Sequence, residues 1–87
     1  MASEKQRQAT RRIEEILRKR GCELADQVAS VMDVMELTRD IREKIVNYEL
    51  ADEFCEEGLN PDDEPNEYGL EIEDLIDACG LARDDLE

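Results

Sequence analysis

The chain has no histidine and no tryptophan, and its only aromatic residues are Tyr48, Phe54 and Tyr68. Without histidine it lacks the commonest general base and the commonest metal ligand. It has no Gly-rich phosphate loop and no Gly-x-Ser-x-Gly turn. Cys22, Cys55 and Cys79 are an odd set without Cys-x-x-Cys spacing, so they make no disulfide framework, and no histidine can activate them. Each falls in a helical pattern, which fits buried thiols in a reducing cytoplasm. No apolar run follows the start, so no signal peptide is expected. No apolar stretch nears the ~20 residues of a membrane span, and no alternating pattern points to a strand. These absences argue against an enzyme, a cofactor, a metal site and a membrane role. They leave binding as the expected mode of action.

What is present in excess is acid. Twenty-five Asp and Glu stand against eleven Lys and Arg, a net charge of −14. The charge is polarised along the chain. Residues 1–20 carry seven basic groups (Lys5, Arg7, Arg11, Arg12, Arg18, Lys19, Arg20) against three acidic ones, whereas residues 48–87 carry sixteen acidic groups against Arg83 alone. A field of that sign repels nucleic acid and anionic membrane and attracts basic proteins. The basic first segment is expected to dock on acidic parts of the same chain or of a second copy.

Helical periodicity organises the chain as one domain, 1–87, in an all-α bundle of three to four helices. Ser3 and Gln6 suggest a capping box for a first helix over 4–20, with apolar Ala9, Ile13, Ile16 and Leu17 and a stop at Gly21. A second pattern runs over 22–57 to Gly58 without Gly or Pro. Its first half is apolar almost all round (Leu24, Val28, Val31, Met32, Val34, Met35, Leu37). Its second half narrows to Ile41, Ile45 and Tyr48, then drifts to Val46, Leu50 and Phe54. One straight helix of that span would be about 54 Å long, against roughly 30 Å for a compact chain of this size. Either the pattern breaks, between Thr38 and Asn47, or the molecule is elongated around one long central helix. The all-round apolar half favours a homodimer. An acidic loop is predicted over 59–69 and a third helix over 71–79, with Gly80 as its stop.

Two weaker constellations have ordinary readings. Asn60, Asp62, Glu64 and Glu71 echo the spacing of an EF-hand loop, but Pro65 stands where that loop needs glycine, so an exposed acidic loop is expected instead. Leu75, Ile76, Ala78, Gly80, Leu81 and Leu86 fit a helix-turn-helix spacing. The second helix would start with Arg83, Asp84 and Asp85 and present carboxylates to DNA, so an ordinary helix stop is the better reading.

The clearest feature is a helical acidic face. Glu49, Asp52, Glu53, Glu56 and Glu57 recur at helical spacing within about 12 Å of axis. That is one charge per roughly 2.5–3 Å, comparable in order to duplex DNA at about 1.7 Å. Asp62, Asp63, Glu64 and Glu67 continue it through the loop, and Glu71, Asp74 and Asp77 along the third helix. In composition the chain resembles small acidic phage proteins that disable CRISPR or restriction machinery. The resemblance implies an inhibitor that mimics nucleic acid and binds a basic, nucleic-acid-handling protein in the host cytoplasm through these residues. Charge reversal of Glu53, Glu56 and Glu57 is then expected to abolish binding and spare the fold. The alternative is a helical dimeric adaptor, antitoxin-like or chaperone-like, that binds a partner through the apolar Val28–Leu37 surface, with Met32 and Met35 as the residues whose mutation would test it.

Overall fold

The computed structural model describes residues 3–80. Ser3 opens α1 (Glu4–Lys19) by accepting a hydrogen bond from the Gln6 amide at 3.1 Å. Thr10, Ile13, Ile16 and Leu17 form its buried stripe. The helix ends where the Cys22 amide reaches back to the Leu17 carbonyl and Gly21 takes a φ of +71°. That is the glycine-assisted stop the sequence predicts.

The 22–57 pattern is not one helix. It divides earlier than expected, over 30–38. The short α2 (Leu24–Ala29) is followed by a 3₁₀ turn at Val34–Glu36 and then by α3 (Arg39–Lys44). The cause is a pair of caps. Asp33 accepts from the Met35 amide while the Glu36 carboxylate takes the Asp33 amide, and Thr38 accepts from the Ile41 amide. Side chains that offer the backbone such partners compete with helix hydrogen bonds. α1 holds the resulting turn. The buried Thr10 hydroxyl accepts from the Val34 amide at 2.9 Å, and Arg11 donates to the Val28 and Val31 carbonyls at the end of α2.

From Thr38 the chain is helical without a break to Glu57. α3 passes into a π-helical turn, Ile45–Leu50, and then into α4 (Ala51–Glu57), with helical backbone at each junction. This 39–57 helix is about 28 Å long. It fits a molecule whose extents are 39 × 32 × 24 Å. The break lets the all-round apolar segment be covered from within its own chain. Val28, Val34 and Leu37 are buried in a core with Ile13, Ile16, Leu17, Ile45, Leu50, Ile72 and Leu75, while Met32 and Met35 stay exposed.

The last described helix, α5 (Glu67–Ala78), begins four residues before the predicted start at 71. Asn66 is the reason, because its side chain accepts from the Gly69 amide at 2.8 Å. The acidic loop is correspondingly shorter. Its ends are tied by hydrogen bonds from the Asn66 amide to the Gly58 carbonyl and from the Asn60 amide to the Glu64 carbonyl. No strand occurs among the described residues, only an isolated bridge between Leu59 and Pro65. The proposed second helix of the helix-turn-helix pattern, from Leu81 on, lies outside the described residues.

α4 and α5 touch where two glycines meet. A β-carbon on Gly69 would stand 2.1 Å from the Gly58 carbonyl oxygen. Gly69→Ala is therefore expected to destabilise the protein by about 2–3 kcal/mol. Gly21→Ala meets no neighbour within 4 Å and is expected to cost about 1 kcal/mol through backbone strain alone. Urea unfolding measures both. Equal midpoints for the two variants would contradict this account of the α4–α5 crossing.

Candidate binding surface

The structure sorts the acidic residues into two sets. The inner set surrounds the end of α1. Arg20 pairs with Glu49 at 3.0 Å, Glu53 at 2.8 Å, Glu56 at 3.2 Å and, loosely, Asp52 at 3.8 Å. Lys19 adds a 2.5 Å bond to Glu53, and the Tyr68 hydroxyl donates to the same carboxylate at 2.6 Å. Glu53 is 1% exposed, so it faces the interior and not a partner. Arg12 holds Glu71 through two guanidinium nitrogens at 2.9 and 3.2 Å. The basic first helix thus docks on the acidic part of its own chain.

These contacts set the local electrostatics. Burial on its own pushes the Glu53 carboxyl up, but hydrogen bonds from Lys19, Tyr68 and Arg20 outweigh it and hold the group at about 2. Burial, then the bond to Glu53, drives the Tyr68 phenol well above its usual range. Bonds to Glu53 and Glu49 raise the Arg20 guanidinium, which stays charged.

The outer set consists of Glu57, Asp62, Asp63, Glu64, Glu67, Glu73, Asp74 and Asp77, all exposed. Among the described residues none of them forms an ion pair. Loop and helix fix their positions. Asp63 sits at φ +68°, the Asp62 carboxylate accepts from the Glu64 amide, and Asn66 ties the loop to Glu57 and to α5. Along α5, Glu67, Glu73, Asp74 and Asp77 share the outward face with the exposed Leu70. Glu73 was not singled out in the sequence, although its place beside Asp74 was a usable signal.

Of the eleven residues assigned to partner binding, Glu53 is buried, and Glu49, Asp52, Glu56 and Glu71 are engaged by arginine. Glu57, Asp62, Asp63, Glu64, Glu67 and Asp74 are brought together on the outside. The EF-hand echo dissolves in the same geometry, because Glu71 turns toward Arg12 and residues from Glu67 on are helical. Among the described residues no group of three or more histidine, cysteine or acidic side chains could hold a metal ion. No known protein family matches the chain, and no curated protein or solved structure shows significant similarity to it.

Because Glu53 joins three elements, charge reversal there disturbs the fold and cannot serve as a surface probe. Glu53→Ala is expected to cost about 3 kcal/mol. That is the lower end for breaking a buried pair, because half-exposed Lys19 can turn to water. The pH dependence follows from the same group. Its folded value lies below its ordinary 4.5, so its contribution is complete above about 4.5 and is lost as pH falls toward about 2. Thermal melts over that window are expected to show a shallower loss in Glu53→Gln than in the wild type. Parallel curves would contradict the assignment.

Proposed function

We propose that the protein acts by binding, as an inhibitor or regulator of a basic, nucleic-acid-handling protein, with carboxylates standing where phosphates would. One observation carries this reading. Arg12, Lys19 and Arg20 engage the inner carboxylates, while the outer eight, at the end of α4, on the loop and along α5, form no ion pair among the described residues. Like charges at helical spacing cost some tenths of a kcal/mol per pair. A sequence shaped for stability alone would intersperse lysines there. On α5 four carboxylates between Glu67 and Asp77 span about 15 Å of axis. Their spacing of roughly 4–5 Å is of the order of the 3.4 Å between phosphates of one DNA strand.

The reading places the active surface in a single copy. The apolar segment that argued for a homodimer is covered by its own chain except at Met32 and Met35, so on this reading a second copy is not needed to complete the acidic surface. It assigns no catalytic step, and it places the partner in a cytoplasm, the host's if the source is viral, where three free thiols are stable.

A second reading, the adaptor, is favoured by one observation. Met32 is 58% exposed and lines an open groove of about 450 Å³ between α1 and the end of α2, beside Arg7 and Arg11. An apolar contact there would persist in high salt, where the acidic contact would not.

The test is capture of partner from the native cell by three chains at low and high salt. They are the wild type, the triple variant Glu57→Lys, Glu64→Lys, Asp74→Lys, and Met32→Ser. All three replaced acids are exposed, so each reversal is expected to move stability by no more than about 0.5 kcal/mol. The acidic reading predicts capture weakened on the order of 100-fold in the triple variant, released by salt and displaced by added duplex DNA. Capture that survives salt and the triple reversal but is lost in Met32→Ser overturns it in favour of the adaptor.

A further inference from the structure

The π turn at Ile45–Leu50 has a consequence for Tyr48. In a regular helix Tyr48 would lie inward with Ile41 and Ile45, seven and three residues before it. Here the inward positions step from Ile41 to Ile45, then five residues to Leu50, and on to Phe54. The Ala51 amide correspondingly reaches the carbonyl of Val46, five residues back. The turn therefore accommodates one residue more than an α-helix would and rotates Tyr48 outward. Tyr48 is 65% exposed, the most exposed large hydrophobic side chain among the described residues. Its hydroxyl makes no hydrogen bond there, and no cation covers its ring.

Two unfavourable choices coincide at this residue. A π turn is rare, occurs as single turns within α-helices and recurs at functional sites. A tyrosine left in water forgoes on the order of 2 kcal/mol of burial. Tyrosines of this kind act as anchors in protein interfaces.

The neighbourhood indicates the chemistry of the contact. One turn beyond Tyr48 is Asp52, its side chain 63% exposed and held by Arg20 only at 3.8 Å. The chain's other tyrosine shows what such surroundings accept. Tyr68, bonded to Glu53, has the Arg12 guanidinium 5.6 Å and the Lys19 ammonium 5.5 Å from its ring centre.

We propose that the π turn displays Tyr48 as a contact for an arginine side chain of the basic partner, which stacks on the ring and pairs with Asp52. This rests on the acidic-surface reading and deepens it. Tyr48 and Asp52 lie on the outer side of the 39–57 helix, and Glu56 continues that side toward the acidic loop. An arginine-bearing surface drawn to the loop and α5 would reach Tyr48 within about two to three helical turns of Glu57.

The probe is a short arginine–glycine repeat peptide, with a lysine–glycine repeat as comparison, followed by the Tyr48 ring signals in NMR and by calorimetry. The expected result is a shift of the Tyr48 ring and not of the Tyr68 ring, larger for the arginine peptide. Tyr48→Ala is expected to weaken arginine-peptide binding about five- to tenfold, and Tyr48→Phe to retain it. Deletion of Tyr48 restores the four-residue step between Ile45 and Leu50, so it is expected to preserve the melting temperature while losing the same affinity. Wild-type affinity in Tyr48→Ala overturns the inference, and so does a deletion variant that fails to fold, which would assign the turn to the fold. The triple charge reversal separates the two ideas. If it loses the peptide while Tyr48→Ala keeps it, only the Tyr48 inference falls. If it too binds as the wild type does, the acidic-surface reading falls with it.

Discussion

The buried carboxylate of Glu53 ties the molecule together. Desolvating a carboxylate costs several kcal/mol, and the cost is recovered only when donors replace water with good geometry. Here Lys19, Arg20 and Tyr68 replace it, within 2.5–2.8 Å. One donor pair comes from the end of α1, the phenol from α5, and the acid itself from α4. The three elements cannot separate without exposing that charge. Cations in the last turn of α1 also lie where the helix dipole favours them. The same contacts explain why a strongly acidic chain begins with a basic helix. Arg12, Lys19 and Arg20 are internal counterions to the later acidic residues.

That internal pairing divides the acidity into two sets. Of the sixteen acidic residues a sequence count presents as one field, the thirteen among the described residues divide into a paired inner cluster of five and an outer band of eight without ion pairs. The five inner carboxylates share Arg12, Lys19 and Arg20, so most of the unbalanced charge that could attract a partner lies in the outer band. The loop that bears part of the band is short and internally bonded, so binding through it would order little additional chain. The division also relocates the candidate surface. The face from Glu49 to Glu57 is largely engaged, and the stretch from Glu57 to Asp77 is presented to solvent.

Much of this was legible in the residues. Ser3, Gly21, Gly58 and Gly80 marked helix ends correctly, because capping chemistry is local and depends on few neighbours. The division near 30–38 was also written in the sequence, as Asp33 with Glu36 and as Thr38. Absence of Gly and Pro obscured it, although side-chain caps end helices as well as glycine does. The drift from Ile41, Ile45 and Tyr48 to Val46, Leu50 and Phe54 was the signature of the π turn. Read as a change of stripe, it placed Tyr48 inward, whereas the extra residue rotates it outward by about a quarter turn. The burial of Glu53 was not legible. Nothing local distinguishes it from Glu56 or Glu57, and its place depends on how α1 and α5 pack against α4.

Amide hydrogen exchange of the chain in complex with its captured partner shows which surface meets that partner. If the acidic band is that surface, new protection is expected over 57–67 and 70–77, extending to Tyr48, with the α2 region unchanged. Protection confined to 24–37, around Met32 and Met35, would contradict it.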